Sequence, residues 1–172
     1  MRAALDWVYR LSGWAAAFFL LAIAALTVAQ ILGRLAGVLV PVADEFAGFC
    51  LAASSFLALA ATFRSGEHVR VALVLGRLTP ARRWLLELWG LGFGFALIGY
   101  FAYFSARMAW ESWRFAEVAQ GMMPTPLWLP QAGMALGVGA LALALADDLV
   151  ALLAGREPSY QRARPADAFG PE

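Results

Sequence analysis

Residues 13–33 read GWAAAFFLLAIAALTVAQILG, a run interrupted only by Thr27 and Gln30. About 20 apolar residues are enough for a helix to cross a bilayer. Three more such runs follow, at residues 46–63, 84–105 and 127–146. They are continuous rather than alternating and are rich in Ala, Leu and Gly, which favours helices over membrane strands. We therefore predict an all-α membrane protein with four transmembrane helices.

The composition supports a membrane location and excludes several classes of function. Of the 172 residues, 62% are apolar and 15% are charged, whereas soluble domains average about 45–50% and about 25%. A net charge of +1 excludes a nucleic-acid binder that relies on a basic surface. The single cysteine, Cys50, excludes an intramolecular disulfide, and the single histidine, His68, excludes bis-histidine haem ligation. We expect the lipid bilayer as a partner and no cofactor.

Arginine placement predicts the orientation of the chain. Ten of the 13 arginines flank one side of the predicted spans, and three flank the other. Because basic residues concentrate on the cytoplasmic side, we expect both termini in the cytoplasm. The ten are Arg2, Arg10, Arg64, Arg70, Arg77, Arg82, Arg83, Arg156, Arg162 and Arg164, and the three are Arg34, Arg107 and Arg114.

The loop between the second and third spans has an amphipathic pattern. An apolar stripe alternates with Arg70 and Arg77, and its members are Val71, Val74, Leu75 and Leu78. This pattern predicts a helix over residues 68–78 that lies flat on the cytoplasmic surface. We assign residues 1–155 to the membrane domain. Residues 156–172, which carry three prolines and mixed charges, are expected to form a disordered cytoplasmic tail.

Two pairs of glycines have the GxxxG spacing that lets helix backbones approach closely. They are Gly90 with Gly94 in the third span and Gly133 with Gly137 in the fourth. We consider all four to be candidates for a subunit interface. The spacing alone leaves open whether the partner helix belongs to this chain or to another subunit.

Charged side chains cluster outside the spans. Asp44 and Glu45 open the second span, where a helix dipole favours anions and helix capping is an alternative role. After the third span, charges recur every three or four residues, at Arg107, Glu111, Arg114 and Glu117. On the cytoplasmic side, residues 67–70 bring Glu67, His68 and Arg70 together. These three suggest an ion-pair latch between helices, or alternatively a proton-responsive switch at the histidine.

The order of these clusters resembles that of the small permease subunit of TRAP transporters, the DctQ-like family. The resemblance covers about residues 5–155. It rests on four stretches, PVADEFAG at 41–48, RSGEHVRV at 64–71, LTP at 78–80 and TPLWLP at 125–130. The Gly-Glu-His-x-Arg-Val element is the most specific of these. One departure is Ala72, where family members often carry aspartate.

The resemblance implies a bacterial inner-membrane protein with two partners. These are a large permease subunit that holds the substrate and sodium sites, and a periplasmic solute-binding protein. The small subunit is expected to be a scaffold for uptake of organic anions and not an enzyme. Its latch and glycine residues would contact the large subunit. The outer charges would help dock the binding protein, and they are Asp44, Glu45, Arg107, Glu111, Arg114 and Glu117.

Other functions are compatible with the composition. A small proton-coupled multidrug exporter would need a carboxylate inside the membrane. Glu87 is the one candidate, and it follows Arg83 by four residues, where the two can pair at the interface. A membrane enzyme or quinone redox subunit is disfavoured, because one cysteine and one histidine cannot build the usual thiol, haem or metal sites. An accessory subunit of an unrelated complex is also compatible.

Overall fold

The four apolar runs all form α-helices, and each helix is longer than the run that predicted it. The structure is a computed structural model that describes residues 2–38, 42–64, 79–121 and 123–156. The helices are α1 (Arg2–Leu35), α2 (Val42–Arg64), α3 (Pro80–Arg114) and α4 (Trp128–Leu153). Each is long and apolar enough to cross a membrane, which confirms the predicted four-helix membrane architecture. The predicted surface helix at 68–78 lies outside the described residues, as does the tail from residue 157 onward.

Three of the helices end in the same backbone motif. After α1, the Val38 amide donates to the Gly33 carbonyl over 2.8 Å, with Gly37 in the left-handed region at φ 74°. α4 ends in the same way at Gly155. At the end of α3 the left-handed position is taken by Ala116, at φ 51°. Glycine adopts this conformation without steric cost, whereas alanine adopts it at a cost because of its Cβ atom.

The helices pack in the order α1–α2–α4–α3. α2 lies between α1 and α4, and α4 lies between α2 and α3, while α1 and α3 are the edge helices. Ala53 contacts Gly133 and Phe56 contacts Gly137, and because the residue numbers rise together on both helices, α2 and α4 run parallel. We call the end where α1 and α3 begin the terminal end. The opposite end, where residues 115–127 join α3 to α4, is the loop end.

The core lies along α4 and is made largely of small side chains. In an apolar stretch of 18 residues of α4, half of the residues are buried, against 6% in the corresponding stretches of α1 and α3. The main cluster joins all four helices in the half of the bundle near the terminal end, and it includes Tyr9, Phe63, Leu91 and Leu152. A second cluster lies between α1 and α2 and contains Ala16, Ala53 and Leu57. Close backbone approach through small residues is the usual basis of helix packing in membranes.

Two buried serines join α1 to α2. The Ser12 hydroxyl donates to the carbonyl of Leu57. The Ser54 hydroxyl donates in the opposite direction, to the carbonyl of Ala16 over 2.9 Å. The bonds therefore run reciprocally between the two helices and fix their relative position along the membrane normal.

Candidate functional site

The loop end is an ordered cap and not a slack connection. Val118 and Pro126 form an antiparallel bridge. The Ala119 amide donates to the Thr125 carbonyl over 2.8 Å, and the Leu127 amide donates to the Glu117 carbonyl over 3.0 Å. A connection tied down by its own backbone hydrogen bonds can present a defined surface.

The charged residues at the end of α3 are held by local contacts. Arg107 Nε donates to Glu111 Oε1 over 2.8 Å, a pairing of residues four apart on one helix. The Ser112 hydroxyl donates to Glu117 Oε2 over 2.7 Å. The Arg114 guanidinium lies 6.0 Å from the ring centroid of Phe115, within the range of a cation–π contact. These side chains thus form a structured polar rim.

The first turn of α2 reaches the same cap. The Glu45 carboxylate lies against Gly121, in the space that a Cβ atom at residue 121 would fill. Asp44 beside it is exposed. The structure therefore brings the two acidic residues of α2 to the loop end, next to the segment that also carries Glu117. All six predicted docking residues lie at this end of the bundle.

The four glycine candidates differ in their surroundings. A Cβ at Gly137 would overlap the Phe56 carbonyl and lie 2.7 Å from the Leu57 nitrogen, and one at Gly133 would lie 3.1 Å from the Ala53 Cβ. Both residues therefore serve contacts between α2 and α4 inside this chain. Gly94 faces Leu145 of α4 at 3.9 Å, whereas a Cβ at Gly90 would meet nothing within 4 Å.

The terminal end carries acidic side chains that are shielded from solvent. The proposed latch residues Glu67, His68 and Arg70 lie outside the described residues. On α3, Glu87 pairs with Arg83 over 3.1 Å, as their spacing predicted. Asp148 on α4 is 1% exposed, although its position next to Asp147 suggests an exposed helix end. Asp148 lies seven residues after Leu141 and four before Leu152, both of which are buried, so it shares the buried face of α4. The sequence does not mark this face, because the exposed Leu143 is equally apolar.

Charged residues are confined to the two ends of the spans. No Asp, Glu or Arg occurs within residues 14–33, 46–63, 88–106 or 127–146. Within the described ranges, no group of three His, Cys, Asp or Glu residues is placed to hold a metal ion. The charged side chains of the described ranges therefore lie toward the two ends of the helices and not in their central parts.

One family model matches the greater part of the chain. It is described as "Tripartite ATP-independent periplasmic transporters, DctQ component", and it matches residues 23–155. No curated protein matches the chain. The match spans the last part of α1, the whole of α2 to α4 and the loop-end cap, which are the elements described above. With four membrane-spanning helices and this match, the chain belongs to the DctQ family, the small component of tripartite ATP-independent periplasmic transporters.

Proposed function

We propose that this chain is the non-catalytic scaffold subunit of a sodium-coupled importer of organic anions in the bacterial inner membrane. It supports the large permease subunit, which carries the solute and the sodium ions. The observation that carries the proposal is the absence of Asp, Glu and Arg from the central parts of all four spans. Carriers normally need ionisable or strongly polar groups at that depth to bind and release their cargo.

The packing of the helices supports a rigid supporting role. α2 is tied to α1 by the two serine hydrogen bonds and is packed against α4 by direct backbone contact at Gly137. Such contacts leave little freedom for the helices to slide past each other. A scaffold subunit that stays fixed while the large subunit moves its substrate site needs such rigid helix packing.

The orientation places the two ends of the bundle in different compartments. Within the described ranges, six of the nine arginines lie at the terminal end, and the positive-inside rule favours the cytoplasm for that end. The loop end then lies in the periplasm, where its ordered cap and charged rim would help receive the solute-binding protein. The residues proposed for this contact are Asp44, Glu45, Arg107, Glu111, Arg114 and Glu117.

Reconstitution tests the proposed function directly. The large subunit is placed in proteoliposomes with and without this chain, and the loaded binding protein is added outside under a sodium gradient. The substrate is the solute that mass spectrometry finds in the purified binding protein. We expect most uptake to be lost without this chain, and all uptake to be lost when potassium replaces sodium. Uptake at full rate by the large subunit and binding protein alone would refute the scaffold role.

The exporter alternative receives no support from Glu87. This carboxylate lies near the terminal end and pairs with Arg83, whereas an exporter needs a carboxylate that alternates between proton and drug. Liposomes containing this chain alone test the point, since we expect them neither to accumulate nor to expel cationic dyes.

A further inference from the structure

The far face of α3 carries an ordered stripe of aromatic side chains. On its near face, Leu91 belongs to the core cluster with α4. The opposite face carries Trp89, Phe93, Tyr100 and Phe104, all exposed. The Trp89 and Phe93 rings stack with centroids 5.4 Å apart, and the Tyr100 and Phe104 rings lie 4.5 Å apart. The stripe is therefore a pre-arranged surface that runs along the helix.

Tyr100 places a hydroxyl group within the hydrocarbon region. It follows Glu87 by 13 residues and precedes Arg107 by seven, which correspond to about 20 Å and about 10 Å of helix. Side chains on a helix lean toward its N-terminus, so the Tyr100 ring leans toward the membrane centre and away from Arg107. A tyrosine whose hydroxyl reached the membrane surface at the loop end would lean in the opposite direction.

Lipid alone is a poor environment for that hydroxyl. Tyr100 is 68% exposed, and within the described ranges its hydroxyl meets no hydrogen-bond acceptor. A hydroxyl left unpaired in an apolar medium carries a free-energy cost. The other edge helix differs, because the exposed Thr27 hydroxyl of α1 donates to the Ile23 carbonyl of its own helix over 2.9 Å. The Thr27 hydroxyl therefore has an acceptor within its own helix, whereas the Tyr100 hydroxyl has none within the described ranges.

Glycines beside the stripe leave room for a neighbouring backbone. A Cβ added at Gly92 or Gly99 would meet nothing within 4 Å. These two residues lie seven positions apart, two helical turns, and so share one side of α3. The aromatic rings form ridges on this surface, and the glycines, which have no side chain, leave a groove beside them. A neighbouring helix can pack into such a groove.

We infer that this face of α3 is the surface that binds the large permease subunit. Its occupant is a transmembrane helix that presents a hydrogen-bond acceptor to Tyr100 at the depth given above. The inference rests on the proposed function, since that function supplies the membrane partner, and it adds which helix and which face make the contact.

Photocross-linking in the full complex tests the assignment. Benzoylphenylalanine replaces Tyr100 or Phe93 on α3, and in a control it replaces Leu21, which is 71% exposed and midway along α1. We expect adducts with the many-helix permease subunit, identified by mass spectrometry, from the two α3 positions and not from Leu21. Adducts from α3 only to lipid, to the binding protein or to a second copy of this chain would overturn the inference.

Removal of single hydroxyl groups gives a second test. Tyr100→Phe keeps the ring and is expected to weaken binding of the large subunit about threefold, the usual effect of one interhelical hydrogen bond in membranes. Thr27→Val is the matched control, because it removes an exposed hydroxyl that already has an acceptor in its own helix, and it should leave binding unchanged. Equal effects of the two variants would contradict the assignment of the face to α3.

The two proposals fail in different ways. If the wild-type chain retains the large subunit but only the variant with benzoylphenylalanine at Leu21 of α1 cross-links to it, the assignment of the face is wrong and the scaffold function stands. If the chain neither retains nor cross-links to a large membrane subunit, the scaffold function itself is wrong, and the inference falls with it.

Discussion

The hydroxyl of Ser54 on α2 donates a 2.9 Å hydrogen bond to the backbone carbonyl of Ala16 on α1. Ser12 donates in return from α1 to the Leu57 carbonyl on α2. In hydrocarbon, each hydroxyl would otherwise be left without water as a partner. The pair explains how two helices with apolar outer faces hold a fixed register.

Replacement of Ser54 should loosen this pair of helices. Ser54→Ala removes a buried interhelical hydrogen bond and is expected to lower the unfolding free energy by about 0.6–1.5 kcal/mol. Ser55→Ala is the matched control, because Ser55 is the next residue and is exposed. Thermal unfolding of the purified chain in detergent measures both. Equal melting temperatures for the two variants would show that the Ser54 bond does not stabilise the fold.

Gly137 and Gly139 should respond in opposite directions to the same change. Gly137→Ala forces a methyl group against the α2 backbone at Phe56, a conflict that costs about 1–3 kcal/mol. Gly139→Ala meets nothing within 4 Å, and alanine stabilises a helix by up to about 1 kcal/mol relative to glycine. The melting temperature should therefore fall below that of the wild type for Gly137→Ala and rise above it for Gly139→Ala. A destabilised Gly139→Ala variant would mean that this face is covered.

Ala116 occupies a backbone conformation that glycine adopts more easily. Ala116→Gly should raise the stability of the chain by up to about 1 kcal/mol, because the left-handed conformation costs alanine that much. The reverse change at an equivalent position, Gly37→Ala with its φ of 74°, should lower it. Thermal unfolding decides the matter, and a loss of stability in Ala116→Gly would contradict the strained helix end.

The contact between Glu45 and Gly121 should affect docking more than stability. Gly121→Ala displaces the flexible Glu45 carboxylate and so alters the loop-end surface without opening the core. In reconstituted uptake, we expect the half-saturating concentration of binding protein to rise severalfold while the melting temperature stays the same. Gly48→Ala is the control. Gly48 lies on α2, the helix that carries Glu45, and a Cβ atom there would meet nothing within 4 Å. Unchanged half-saturation in Gly121→Ala would exclude this contact from docking.

The segment with Glu67, His68 and Arg70 is proposed to bind the large subunit. Replacing all three by alanine should reduce co-purification of that subunit, since an ion-pair latch needs its charges. The control replaces Arg162 and Arg164 by alanine, which removes charge from the tail, and it should leave co-purification unchanged. Full recovery of the complex with the triple variant would refute the latch.

The number of spans and the local ion pairs could be predicted from the sequence. A run such as residues 13–33 has few alternatives to a membrane helix. Arg83 with Glu87 and Arg107 with Glu111 follow from the geometry of a single helix, in which residues four apart are neighbours. Features of this kind depend on local spacing alone, so one sequence is sufficient for them.

The order of the helices could not be predicted in the same way. Leu145 in the core and Leu143 on the surface of α4 are both leucine, because lipid and protein interior are equally apolar. Pattern therefore does not separate buried from exposed faces. Asp148 illustrates the same limit, since an acid near a helix end usually lies at the membrane surface. Glu45 reaches Gly121 across 76 residues of sequence, a distance that local spacing does not address.

The central position of α4 has a consequence for biosynthesis. α4 leaves the ribosome after the other three described helices, yet α3 packs almost entirely against it. α1 and α2 can pair as a hairpin as soon as both are inserted. α3, in contrast, lacks its packing partner in the bilayer until translation passes residue 153. A nascent chain arrested before Trp128 would hold one assembled hairpin and one helix without its neighbour, and such a product is a natural target for membrane quality-control proteases.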